Sequence, residues 1–366
     1  MRIVSVVGTR PQLIKAAALL PALRSRHDEI FVDTGQHYDE AMAGSFFAEL
    51  GLPRPHHTLE IRGGSQAEQT GRMLPAVEAV LVSTAPDAVL VYGDTNSTLA
   101  GALAAAKLGI PVAHVEAGLR SFDRRMPEEI NRVLVDHLSR WLFVPTPAGV
   151  ANLAAEGITD GVLLVGDVMR DLAAAMASAI RDPGAIADLG LEPGGYLFAT
   201  IHRVENRSPV AVTRWAELFE SVAHVDRPVV LALHPGTRLA LDAAGVGLPE
   251  TVRLIDPQGY RTALALQLHS AAVLTDSGGI QEETTFLGLP CFTLRPNTER
   301  PITVTMGTNV LLGLAPERIA EVPTLLAAGA GKEAHVPPLW DGKASERIAD
   351  VLAGYPLEER AVAKTR

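Results

Sequence analysis

Short apolar runs bounded by turns alternate with amphipathic stretches along almost the whole of this chain. Ile3–Val7, Ile30–Thr34, Ala88–Tyr92, Val112–Val115, Trp141–Val144 and Val162–Val165 read as buried strands. Tyr196–Thr200, Val229–Leu233, Val252–Ile255, Ala272–Leu274 and Cys291–Leu294 form a second set. Helical stretches such as Gln66–Ser83, Ser97–Leu108, Glu128–Ser139 and Arg261–Leu268 fill the intervals. Alternation of this kind predicts an α/β chain with two parallel sheets and right-handed crossovers. The break between the sets falls after Val165, in the helix-rich, Gly/Pro-bounded segment from Gly166 to Gly195. No 20–50-residue repeat, heptad pattern or low-complexity tail interrupts it. In sheets of this type ligands sit at the carboxyl ends of the strands, so the residues just after each strand hold the functional information.

Composition narrows the ligand. With 47% hydrophobic and 20% charged residues the 366-residue chain is globular and long enough for two cores. A net charge of −10 argues against a nucleic-acid surface, so an anionic ligand must be met by a few local cations and helix ends. The single cysteine, Cys291, excludes an intramolecular disulfide and reads as a buried structural thiol. No apolar run approaches the roughly 20 residues that span a bilayer. Ile3–Val7 is too short for a signal-peptide core. The expectation is a soluble cytoplasmic protein with no membrane or nucleic-acid partner.

The segment TDSGGIQEETTFLG, Thr275–Gly288, follows an apolar run and opens a helix with Ser277 at its cap. Gly278 and Gly279 occupy the first turn, where each costs about 1 kcal/mol against alanine. Poor helix formers at a helix start let a ligand approach the backbone. Unpaired N–H groups and the positive dipole end then suit an anion, most often phosphate. Glu282 and Glu283, one turn on, are placed to accept hydrogen bonds from sugar hydroxyls. A capped helix with dipole-favourable acids would show the same pattern.

After the first strand, Gly8 permits a tight turn, Pro11 suits a first helical turn, and Arg10 is left at the sheet mouth as a phosphate clamp. Lys15, one turn in, is a further site cation or a solvated surface lysine. Asp94 follows one strand and Glu116 the next, putting two carboxylates where acid/base chemistry needs them, although each residue also suits a cap or a salt bridge. Glu128 opens a helix behind Pro127, as a third site acid or as a dipole pair with Glu129. His202 and Arg203 follow the first strand of the second set, and His234 the next. A histidine there can neutralise diphosphate charge, transfer a proton or bond the helix start. Neither GxGxxG nor GxxxxGK[ST] is present, nor an HExxH or other metal-ligand spacing, nor a GxSxG elbow. No dinucleotide cofactor, P-loop or metal is expected.

Together these segments resemble the non-hydrolysing UDP-N-acetylglucosamine 2-epimerases. The resemblance rests on GTRPQLIKAA (8–17), TGQHYDEAM (34–42), GDTNSTLA (93–100), HVEAGLRSFDRRMPEEINR (114–132) and VGDVMRDL (165–172). It continues through TIHRVEN (200–206), LHP (233–235), DPQGY (256–260), TDSGGIQEE (275–283), NTERPITVTMGTN (297–309) and KASERI (343–348). It implies two Rossmann-like domains facing across a cleft, a build shared with GT-B glycosyltransferases. Residues 1–168 would carry the acid/base groups, 169–342 would bind UDP, and a final helix within 343–366 would pack back on the first domain. The implied reaction interconverts UDP-GlcNAc and UDP-ManNAc without nicotinamide, metal or other cofactor, by anti elimination of UDP to 2-acetamidoglucal and re-addition.

Carried over by position, Asp94, Glu116 and Glu128 form the acid/base set, with His202 beside the diphosphate. Arg10, Lys15 and Arg300 contact phosphate or sugar, Ser277, Gly278 and Gly279 hold the diphosphate, Glu283 the ribose, and Gln258 the uracil. A homodimer is implied as well. Two departures bear on detail. Ala263 stands where many relatives carry an aromatic residue near the nucleobase, and Asp39 stands where substrate-activated members tend to have glutamine, which argues against such activation here. Gln12 and Ile302 replace the glutamates of GTRPE and TERPE, as in one branch of the family. The rival readings are a 2-epimerase of a related sugar such as a UDP-2,3-diacetamido uronic acid, a hydrolysing epimerase, a glycosyltransferase of the same build, and a non-enzymatic nucleotide-sugar sensor.

Overall fold

In the computed structural model, which describes residues 1–36, 46–224, 227–328 and 333–354, two parallel sheets carry the chain. β1 (Arg2–Val7), β2 (Asp28–Asp33), β3 (His57–Thr58), β4 (Ala88–Tyr92), β5 (Val112–Val115), β6 (Trp141–Val144) and β7 (Val162–Leu164) lie in the spatial order β3-β2-β1-β4-β5-β6-β7. β8 (Leu197–Ile201), β9 (Val229–Leu233), β10 (Val252–Ile255), β11 (Ala272–Thr275), β12 (Cys291–Thr293) and β13 (Asn309–Leu311) lie in the order β10-β9-β8-β11-β12-β13. Each sheet thus begins at an inner strand, winds to one edge, returns and winds to the other. That is the doubly wound Rossmann order. The chain is α/β with two Rossmann-like sheets.

The two strands that the apolar pattern does not predict, β3 and β13, are both sheet edges and only two and three residues long. Their pairing comes from the neighbouring strand, with Val32 beside His57 and Cys291 beside Asn309, and from no run of their own. The inner strands are buried because helices cover both faces: β4 is buried at every position, as are β5, β6 and β11.

One compact unit comprises Met1–Leu172 and the C-terminal stretch that begins at Pro338; the other is Ala173–Pro337. In the first, the Ala344–Ala353 helix packs on the Arg10–Arg24 helix. Its start is fixed by Asp171, which accepts from the Ala344 and Ser345 backbone N–H groups at 3.2 and 2.6 Å. Trp340, fully buried, donates its indole N–H to the Pro145 carbonyl at 3.0 Å. The core of the second unit gathers Trp215, Phe219, Phe292 and the aliphatic residues of β8, β9 and β11. No helix among the described residues is long and apolar enough to cross a membrane.

Candidate active site

In each sheet the winding direction reverses between two inner strands, and the backbone turns leave an open crevice at their carboxyl ends. The first unit has this switch between β1 and β4, and the second between β8 and β11. The residues that leave those four strands are Gly8-Thr9-Arg10, Gly93-Asp94, His202-Arg203 and Asp276-Ser277-Gly278-Gly279. Arg10, Asp94, His202 and the Ser277–Gly279 turn therefore emerge at the two places where this topology binds ligands.

At the end of β1 the backbone passes directly beneath Thr34 and Ser97, whose hydroxyls hydrogen-bond each other at 2.7 Å. A Cβ at position 8 would collide with both, so this approach requires Gly8. Gln12 then ties the turn to β4. Its Oε1 accepts from the Gly8 and Thr9 N–H groups, and its Nε2 donates to the Tyr92 carbonyl and to Thr98. A glutamate could accept but could not donate to that carbonyl, so glutamine at this position has a structural reason. Arg10, the first helical residue, lies 5.8 Å from the centre of the Phe46 ring.

Lys15 projects from the same helix onto Glu116, and the two form an ion pair with each side chain only 9% exposed. Glu116 sits at φ +76°, a left-handed conformation that costs a non-glycine residue of order 1–3 kcal/mol. Its N–H and that of Ala117 both point to the Phe143 carbonyl at 3.1 Å. The turn before Asp94 touches the pair, since a Cβ on Gly93 would lie 3.2 Å from the Glu116 carboxylate and 3.3 Å from the Lys15 ammonium. A shallow recess lies beside them, with Phe143, Pro145 and Asp167 in its wall.

Asp94 is held by the Pro127–Leu138 helix. Arg132 donates to its carboxylate through Nε at 3.1 Å and to Glu129 through a terminal nitrogen at 2.7 Å. Asn131 donates to the Asp94 carbonyl at 2.9 Å. Glu128 is half-buried in the first turn, four residues before Arg132 and so on the same helix face. Beneath this layer His114 of β5 faces two acceptors, the Asp136 carboxylate at 2.7 Å and the Gly93 carbonyl at 2.7 Å. Each ring nitrogen thus has its own acceptor. Asp136 also accepts from the Gly118 N–H and from Arg120. One buried carboxylate thus anchors the two turns that carry Asp94 and Glu116.

In the second unit Ser277 caps the Gly278–Leu287 helix, its Oγ accepting from the Ile280 N–H, with Gly279 half-buried in the first turn. The Arg300 guanidinium lies against Gly278: a Cβ there would be 2.5 Å from one of its nitrogens. Arg300 is steered by Glu282, at 2.7 Å from its Nε. His202 places Nδ1 2.8 Å from the carboxylate of Asp276. Gln258, half-buried after β10, donates its amide to the Asp256 carbonyl at 2.8 Å. Ala263 is half-buried in the Tyr260–Leu268 helix. Asp39 lies outside the described residues. Among the described residues no group of three His, Cys, Asp or Glu side chains is arranged to hold a metal ion.

Glu283 is buried in the second turn of its helix, hydrogen-bonded by Gln267 at 2.6 Å and by Tyr260. Burial pushes its carboxyl from the ordinary 4.5 up to about 7, assisted by the charge of Glu282 and opposed by those hydrogen bonds. The folded protein therefore keeps a proton between pH 4.5 and 7 that the unfolded chain has released, so folding stability falls as pH rises through that window. The full cost, roughly 3 kcal/mol at most, is present above pH 7. Glu283→Gln should accordingly leave the denaturant midpoint unchanged near pH 4 and raise it at pH 8. A midpoint lowered at pH 8 would contradict this burial-driven protonation.

Three participants were invisible as site residues in the sequence: Arg132, Asp136 and Asp276. The first two stand four and eight residues beyond Glu128, a helical spacing that aligns charged groups on one face. Asp276 stands directly after a strand, where the strand-end rule applies as it does to Asp94.

Known proteins share this build over their whole length. The family described as UDP-N-acetylglucosamine 2-epimerase matches residues 22–353. A Pseudomonas aeruginosa protein named UDP-2,3-diacetamido-2,3-dideoxy-D-glucuronate 2-epimerase is 45% identical over 360 residues, covering 96% of this chain and 99% of its own. A UDP-N-acetylglucosamine 2-epimerase from Methanocaldococcus jannaschii is 40% identical over 363 residues, with 96% and 99% covered. The crystal structure of M. jannaschii UDP-GlcNAc 2-epimerase in complex with UDP-GlcNAc and UDP superposes with a TM-score of 0.88 over 96% of this chain and 99% of that one, at 39% identity. Matching sequence, matching fold and full mutual coverage place this chain in the UDP-N-acetylglucosamine 2-epimerase family, a family of isomerases.

Proposed function

We propose that this protein catalyses the reversible C2 epimerisation of UDP-N-acetylglucosamine to UDP-N-acetylmannosamine. The observation that carries the reading is the cluster at the carboxyl ends of β1, β4 and β5. There a strained Glu116 is ion-paired to Lys15 beside the turn that leads to Asp94. A carboxylate removes the C2 proton, the C–H electrons become the C1–C2 double bond, and the C1–O electrons leave with UDP. Re-addition of UDP to C1, with a proton delivered to the opposite face of C2, gives the epimer. The reaction is redox-neutral and every atom is retained.

The C2 proton is a poor acid, so departure of the diphosphate needs strong stabilisation. Asp94, Glu116 and Glu128 are assigned jointly to proton removal and return. Kinetics of the three single variants separate removal from return. Arg10, Lys15 and Arg300 meet phosphate or sugar, the Ser277–Gly279 helix start holds the diphosphate, and His202 stands beside it. Glu283 takes the ribose and Gln258 the uracil. UDP held throughout returns to the glycal and is not lost.

A second substrate reading follows from the P. aeruginosa relative, whose name specifies a diacetamido uronic acid at 45% identity over nearly the whole chain. Separate incubations with UDP-GlcNAc and with UDP-2,3-diacetamido-2,3-dideoxyglucuronate, followed by proton NMR of the anomeric and C2 signals, distinguish the two. UDP-GlcNAc should approach equilibrium with its C2 epimer without added cofactor. Turnover of the uronate alone would move the substrate assignment. Accumulation of free N-acetylmannosamine with UDP would exclude the non-hydrolysing route.

A further inference from the structure

We propose that Asp276 is the positioning residue of His202: it takes the Nδ1 hydrogen of the imidazole and so commits Nε2 to the diphosphate. This rests on the reading that His202 meets the leaving group. Asp276 directly follows β11, immediately before the Ser277–Gly279 helix start, and is wholly buried. Four donors converge on its carboxylate. The His202 N–H reaches both oxygens at 3.1 Å, the Arg203 N–H donates at 2.9 Å, the Asn206 amide at 3.0 Å, and His202 Nδ1 stands at 2.8 Å.

The carboxylate therefore fixes both the backbone and the ring of the residue that leaves β8. The backbone is pinned from behind as well, since Arg207 donates to the His202 carbonyl. The imidazole keeps 42% of its surface exposed, so one edge is locked and the other is open. An exposed histidine favours hydrogen on Nε2 when neutral. Here Nδ1 faces a group that can only accept, which selects the opposite tautomer. Once Nε2 also carries a proton, the ring has a carboxylate behind it and a phosphate before it. The same strand-end segment then grips UDP twice, through the helix start and through the histidine that its aspartate orients.

The test is long-range 1H–15N NMR on the full-length protein labelled with 15N-histidine, with His202 assigned from the signals lost in His202→Gln. At alkaline pH without nucleotide, His202 should appear as the Nδ1–H tautomer. An Nε2–H tautomer in the active wild-type enzyme would overturn the inference even if an Asp276 variant failed to fold. Asp276→Asn, which presents an amide to the same donors, should convert His202 to Nε2–H and lower kcat by about 10-fold or more, since the same exchange behind a catalytic histidine leaves the wrong tautomer. KM should move far less, and His202→Gln combined with Asp276→Asn should be no slower than His202→Gln alone. Losses that multiply would show that Asp276 acts apart from His202. C2 exchange by an enzyme with the wrong tautomer sinks this inference alone. Absence of exchange with every UDP-sugar tried sinks the functional reading, and the positioning role with it.

Discussion

Glu116→Gln should lower C2 proton exchange by about 10²- to 10⁴-fold, the usual weight of a positioned acid/base group, while leaving the folded chain able to bind UDP. The structure adds a stability effect of its own. Glutamine removes the carboxylate charge that faces the buried Lys15 ammonium. Breaking one side of a buried ion pair costs about 3–5 kcal/mol, because the remaining charge stays desolvated. Replacing both partners by neutral side chains avoids that penalty. The double variant Lys15→Met/Glu116→Gln is therefore expected to regain most of the lost denaturant midpoint and none of the exchange. Wild-type exchange in Glu116→Gln would remove this residue from the chemistry. Wild-type stability in the same variant would show that the pair carries no energetic weight.

Asp136→Asn should destabilise the first unit by a similar amount, about 3–5 kcal/mol at neutral pH. Burial alone would push this carboxyl up. The hydrogen bonds and charges of His114 and Arg120 outweigh it and hold the group below the ordinary aspartate value. A depressed folded value means stability that is present above the unfolded pKa of 3.8 and is lost as pH falls through the folded one. The gap between wild type and variant should thus be wide at pH 7 and narrow once acid protonates the wild-type carboxylate. Denaturant melts across that range measure it. Activity should fall with stability, because Asp136 reaches the Gly118 N–H directly and the Gly93 carbonyl through His114. A gap that stays constant into acid would show that the charge of Asp136 is not what the network uses.

The parts of this architecture that were legible in the sequence are those with local causes. Continuous apolar runs separated by helices mark buried parallel strands, and the residues after them follow from the winding rule. Gly278 is legible as a small residue where a backbone must be approached, though not what approaches it, whereas Gly8 is read as permitting a tight turn and is in fact required by the approach of Thr34 and Ser97. The edge strands were lost because two or three residues carry no period. The supporting charges were lost because their partners are distant along the chain. Lys15 and Glu116 are 101 residues apart, Arg132 and Asp94 are 38 apart, and Asp276 and His202 are 74 apart. No spacing rule connects such pairs before the sheets are assembled. The left-handed backbone at Glu116 was hidden too, since a bulky residue gives no sign of adopting it.

The central claim is that a carboxylate breaks the C2–H bond while UDP leaves, and deuterium uptake at C2 tests it most directly. The protein is incubated with UDP-N-acetylglucosamine in deuterated water without added cofactor, and the C2 proton is followed by NMR. Elimination and re-addition predict deuterium at C2 in both epimers as equilibrium is approached. An epimer formed with its C2 protium intact would contradict the account.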